Sequence, residues 1–288
     1  KSKITKWNSD ADPTIGSYYK GYVVGSIWGF KSAGLFQKGD FVYSDNGTIQ
    51  TVTVDGKLQN VYKNLKPGYQ KALESNTAAF MFGPGDMKFK DLDGDGIIDY
   101  GSNTIGDPGD RTIIGNSQPR YIFGFRIGGN WKGFDLDVFF QGVGKRHLWA
   151  TGNTILPGYD AAGVGFKGTY DYWTEDNTDA YYPRPLNYSQ AAKWNYVCNS
   201  KYLLNMAYLR LKTLTIGYTL PSKYTQKAMI QKVRVYFSGE NLLTFDHLHG
   251  LSIDPEIDWT SATQNDSRSF GRSYPYRKTM SFGIQVDF

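Results

Sequence analysis

The last nine residues, MSFGIQVDF, alternate without a break. Met280, Phe282, Ile284, Val286 and Phe288 share one parity; Ser281, Gly283, Gln285 and Asp287 share the other. Successive side chains of a β-strand leave the pleat on opposite sides, so the stretch predicts a strand with one apolar and one polar face. Chain ends fray and rarely carry an apolar row to the final residue. A row that stops on a bare aromatic therefore predicts a paired terminal strand whose Phe288 meets something apolar.

Four further segments follow the same rule. In 119–131, Tyr121, Phe123, Phe125, Ile127 and Trp131 oppose Arg126, Gly128 and Asn130. In 133–144, Phe134, Leu136, Val138 and Phe140 oppose Asp135, Asp137 and Gln141. In 232–243, Val233, Val235 and Phe237 oppose Arg234, Ser238 and Glu240. The segment 208–220 changes parity between Leu211 and Leu214, which predicts a bulge near Lys212 or Thr213.

The spacing between these strands carries the topology. Strands 119–131 and 133–144 meet at a tight turn, and 208–220 and 232–243 are joined by the short PSKYTQKAMIQ. The other gaps, 8–118, 145–207 and 244–275, are long. If residues 1–7 end a rising strand, the strands then alternate down and up to the closing strand 276–288. Both short connections fall on one side, with the C-terminus, and all three long loops on the other. Short turns on one side and long loops on the other is the plan of an outer-membrane barrel. The expected fold class is all-β: the C-terminal strands of a large antiparallel transmembrane β-barrel with long extracellular loops.

Composition agrees. Tyr, Phe and Trp number 22, 17 and 7, and Gly 33, a mixture that favours β-structure. No apolar run is long enough for a transmembrane helix, which leaves a strand-built crossing open. Cys198 is alone, so no internal disulfide framework exists, and His147, His247 and His249 lack zinc-type spacing. A spread net charge of +5 points to solubility rather than to nucleic acid.

One motif carries ion chemistry. DLDGDGIID places Asp91, Asp93, Asp95 and Asp99 at loop positions one, three, five and nine, with Gly96 at the sharp turn and the Ile97 carbonyl at seven. This spacing suits calcium, or magnesium, in a structural role. Position twelve is Ser102 rather than Glu, leaving Asp107 or Asp110 to compensate. The loop aromatics Trp28, Trp149, Trp173, Tyr172, Tyr181 and Tyr182 could stack on sugars, and packing is the favoured reading. Asp135 and Asp137 are same-face neighbours on one strand, a poor acid–base geometry without a second element, so no catalytic residues are assigned.

Several segments together resemble the SusC/RagA-type TonB-dependent transporters of the Bacteroidetes outer membrane. They are GYVVGSIWGFKSAGLFQ (21–37), GDMKFKDLDGDGIIDYGSNTIGDPGDRTIIGNSQPRYIFG (85–124), YDYWTEDNTDAYYPRP (170–185), YLRLKTLTIGYTLP (208–221), VRVYFSGENLLTF (233–245) and YPYRKTMSFGIQVDF (274–288). The resemblance implies the C-terminal part of a barrel of about 22 strands, with no counterpart here to the family's plug or TonB-contacting segment. It further implies a cell outer-membrane location, import of an oligosaccharide or a peptide, a SusD-like surface lipoprotein as lid, and energy from TonB–ExbB–ExbD. Phe288 becomes the signal for barrel insertion. The competing expectation is a secreted, calcium-stabilised β-rich module that binds carbohydrate.

Overall fold

The structure, a computed structural model, describes residues 2–7, 12–73, 80–150, 152, 155–159, 171–186, 192–248, 250–251, 253–256 and 274–288. His249 lies outside them. The chain divides into two units, one of residues 1–118, 148–204 and 259–272, the other of 119–147, 205–258 and 273–288.

The first unit is built of short antiparallel pairs. Strand β1 (Ser26–Phe30) pairs with β6 (Arg111–Asn116), β2 (Ser32–Leu35) with β5 (Met87–Phe89), and β3 (Thr51–Val54) with β4 (Lys57–Asn60). The last pair turns on Asp55 and Gly56, both at positive φ, the geometry that matches the twist of a hairpin. Aromatic side chains fill the interior: Phe30, Phe36, Phe41, Phe82, Phe89 and Tyr182 are all buried. A polar knot ties distant segments together. The carboxylate of Asp86, fully buried, accepts from the Gly83 N–H, from both Nε and Nη2 of Arg184, and from the Asn195 amide at 2.8 Å. Asn195 accepts in turn from the Met87 N–H at 2.7 Å. Four donors meet this buried charge, the condition under which such a group is tolerated.

The second unit is one five-stranded antiparallel sheet. Its strands are β7 (Tyr121–Trp131), β8 (Phe134–Gly144), β9 (Tyr208–Thr219), β10 (Lys232–Asp246) and β11 (Thr279–Asp287), in the spatial order β11-β10-β9-β8-β7. Neighbours in sequence are neighbours in space. Lys132 and Gly133, at φ 48° and 88°, form the two-residue turn between β7 and β8.

The parity change in β9 is a bulge. Pairing with both β8 and β10 shifts between Leu211 and Thr213. Lys212 is the extra residue, so Leu209 and Leu211 stay on the same face as Leu214 and Ile216.

Candidate functional site

Register lays the sheet out as two unlike surfaces. On one, rows of apolar side chains cross all five strands: Trp131, Phe134, Tyr218, Val235 and Ile284 form one, and Gly129, Leu136, Ile216, Phe237 and Phe282 the next. Rings meet along them, Phe134 with Tyr218 at 4.5 Å and Phe237 with Phe282 at 5.2 Å. This surface is uncovered. Phe282 is 85 % exposed and Ile284 70 %, and Phe125, Phe134 and Val235 are exposed with them. A water-soluble domain hides such a face in its core, and an apolar surface left open across a whole sheet marks a contact with another apolar phase.

The opposite surface is polar and internally neutralised. Arg126 on β7 pairs with Asp137 on β8, Nε to Oδ2 at 2.7 Å. Arg234 on β10 reaches past the intervening β9 to Asp135 on β8, with Nε 2.8 Å from Oδ1. The bridge passes over Gly217, where a Cβ would lie 2.4 Å from Asp135 Oδ1 and 2.6 Å from Arg234 Nε. Glycine leaves the corridor the ion pair occupies. Glu240 continues this face beside Thr213 and Thr279. The paired carboxylates Asp135 and Asp137 thus belong to separate arginines.

The acidic loop folds as a series of carboxylate-capped turns. Asp91 accepts from the N–H groups of Gly94 and Gly96, at 2.6 and 2.8 Å. Asp93 accepts from Asp95, and Asp95 from the Ile97 N–H at 2.7 Å. Asp110 closes the loop from below. It is fully buried and accepts from the N–H groups of Leu92 at 2.6 Å and Asp99 at 2.9 Å. Burial, with Asp93 and Asp91 nearby, raises the Asp110 carboxyl above the usual carboxylate range, partly offset by those two amides.

The structure brings together part of the expected ligand set. Asp91, Asp93 and Asp110 present oxygens within 4.8 Å of one another. Among the described residues, the side chains of Asp95 and Asp99 do not join them: the Asp99 carboxylate accepts from the Gly101 N–H, and the Asp95 carbonyl accepts from Lys66. Of the two candidates for the missing twelfth position, Asp110 faces the cluster. Asp107 caps the next turn through Ser102. An all-oxygen set of three carboxylates has the hardness that calcium or magnesium selects.

The loop aromatics are mostly structural. Trp173 and Tyr182 are buried, and Tyr182 stacks on Tyr202 at 5.8 Å. The Trp173 indole covers Gly85 and donates to Gln37 Oε1 at 3.2 Å. Tyr181 packs edge-on against both Tyr182 and Tyr202. Trp28 and Trp149 are half-buried, and Tyr172 is partly exposed. Phe288 follows β11 and is largely exposed.

Sequence reasoning passed over a buried charge network on the polar surface, at the end of the sheet away from the Lys132–Gly133 turn. Arg210 donates to Thr244 Oγ1, Glu256 Oε2 and Asp254 Oδ1 at 2.9, 2.5 and 2.7 Å. A charged residue in a strand was the visible signal, and partners more than forty residues away left no pattern beside it.

Comparison with known proteins places this two-faced sheet. No protein-family model matches the chain. It is 30% identical over 275 residues to TonB-dependent receptor P3 of Formosa agariphila, covering 93% of this chain and 22% of the receptor. The chain is homologous to TonB-dependent receptors over nearly its whole length. A second receptor of that organism, P26, is 27% identical over 256 residues, 84% of this chain and 24% of its own length. The chain thus spans less than a quarter of the curated TonB-dependent receptors named here. Among solved structures, the RagAB peptide transporter superposes with a TM-score of 0.51 at 21% identity, over 94% of this chain and 24% of that one. The RagAB peptide importer in its open-open state gives 0.51 at 22%, over 96% and 24%. At that identity the likeness is one of fold.

Proposed function

We propose that this chain is the C-terminal wall of an outer-membrane importer driven by TonB. The observation that carries the reading is the open apolar surface crossing five strands, opposite a neutralised polar one. In a bilayer the first meets hydrocarbon and the second an enclosed, wet interior. Strands cross such a membrane because neighbours satisfy their backbone groups. Among the described residues no helix is long and apolar enough to cross a membrane.

The cargo is an oligosaccharide or a peptide. The family resemblance favours the first, and the two solved relatives, a peptide transporter and a peptide importer, favour the second. A SusD-like surface lipoprotein serves as the lid, and TonB–ExbB–ExbD supplies the work. Asp91, Asp93 and Asp110 hold calcium in a structural role, neutralising three converging carboxylates and fixing the loop. Phe288 serves as the insertion signal. A secreted carbohydrate-binding module would leave the apolar rows facing water, so this reading is set aside.

The test is fractionation of the full-length parent in its own cells, followed by uptake. Recovery in the outer membrane, with growth on a glycan or peptide that fails when the parent is deleted, is expected. Recovery in the soluble periplasm overturns the proposal.

A further inference from the structure

The Arg210 network joins the sheet to residues that follow it. Arg210 sits on the polar surface of β9, in register with Gln141 and Thr244. Its side chain is 4 % exposed and that of Asp254 is 2 %. The bulge puts Lys212 on the same surface, where its ammonium lies 2.7 Å from Glu256 Oε1. Asp254 also accepts from the Glu256 N–H at 2.9 Å and the Tyr276 N–H at 3.0 Å. The Tyr276 ring lies under both cations, 5.4 Å from the Arg210 guanidinium and 4.9 Å from Lys212. Leu248 and Ile253 are buried beside these contacts in the chain.

Two cations and two carboxylates thus balance, Arg210 and Asp254 almost fully buried and Lys212 and Glu256 partly so. Removing such charges from water is expensive, and well-packed apolar residues hold two segments together at least as well. What the ionic version adds is an all-or-none contact: losing one partner leaves an unpaired buried charge and favours opening. On the outer-membrane reading proposed above, this end of the polar surface lines the outer mouth of the lumen.

We infer that residues 253–256 and 274–276 form a strap across the lumen side of the outer rim, clasped by Arg210 and Lys212 through Asp254 and Glu256, and able to release together. The closed strap narrows the mouth along this wall. Release exposes Ile253 and widens it.

The experiment uses the full-length receptor in outer-membrane vesicles, with Cys198→Ala and Ile253→Cys as background and a biotin maleimide as probe. Heat-modifiable migration on gels reports barrel integrity. With the clasp intact, labelling is slow. Arg210→Met, and separately Asp254→Asn with Glu256→Gln, should each speed labelling on the order of tenfold or more while migration is unchanged. Unchanged labelling in both variants overturns the strap. So does fast labelling that comes only with lost heat-modifiability, because the network then holds the sheet itself. If the unaltered receptor shows no heat-modifiable barrel, the importer reading fails, and labelling alone decides whether the strap exists.

Discussion

Gly217 shows how much one missing methyl group can decide. Asp135 and Arg234 are a strand apart, and their bridge exists because nothing projects from β9 between them. Gly217→Ala should force the guanidinium and carboxylate apart at an overpacking cost of about 1–3 kcal/mol. A lowered unfolding temperature of the purified receptor would register it, and Gly129→Ala, where nothing lies within 4 Å, is the control that should leave that temperature unchanged. At Asp110 the sign of the pH effect is set by burial. Its folded carboxyl is raised, so its own contribution to loop stability is fully present below the ordinary aspartate value and is lost as pH rises through the raised one. Near neutral pH the ionised form therefore weighs against the loop unless a cation compensates. Added calcium should raise the unfolding temperature at pH 7 more than at pH 4, and Asp110→Asn should abolish most of that calcium-dependent gain. A calcium response unaltered by Asp110→Asn would exclude this cluster.

Among the elements, β9 is the most informative. Its parity switch was legible because a strand that keeps one face apolar must absorb any extra residue in a bulge. Deleting Lys212 alone should restore regular pairing with Arg210 still on the polar side, whereas deleting Lys212 and Thr213 together should turn Arg210 onto the hydrocarbon side. An arginine there costs about 2–4 kcal/mol at the bilayer midplane and less toward the interface. The yield of heat-modifiable receptor should fall in the double deletion, and a yield equal to wild type there would count against the lipid-facing assignment. The tight turn at Lys132–Gly133 was equally legible, since two residues between alternating runs leave little choice of geometry. The regions between the long strands were not. Strands of three to six residues, such as β5 and β6, are too short to show periodicity. The contacts that stabilise them come from afar: Gln70 donates to the Met87 carbonyl and accepts from the Phe89 N–H, both at 2.9 Å. The acidic loop lay between these extremes. Its Asp spacing was visible, while the choice of Asp110 over Asp95 and Asp99 followed from burial and from amides the spacing does not encode.

For the whole molecule, two surfaces of one sheet make opposite demands, and substitutions should separate them. Ile284→Arg on the apolar row should lower assembly into the outer membrane, by about 2–4 kcal/mol if the site lies at mid-depth. Gln285→Arg, one residue along on the polar side, should be tolerated. Equal losses would deny the distinction between the faces. Polarity of this kind is readable in a sequence because it repeats every second residue over nine or more positions. The identity of the cargo is not, because recognition depends on scattered side chains that obey no period.

The glycines of the polar surface shape what that surface can do. At Gly217 the Asp135–Arg234 bridge crosses the strand, and at Gly283 the Tyr236 ring occupies the space a side chain would fill. Arg234 rests on Tyr236 at 4.9 Å, so cation, ring and carboxylate lie along the wall instead of standing out from it. Along this stretch the side chains lie flat on the sheet. On the importer reading proposed above, a solute moving over it finds few places to lodge, which suits passage better than capture.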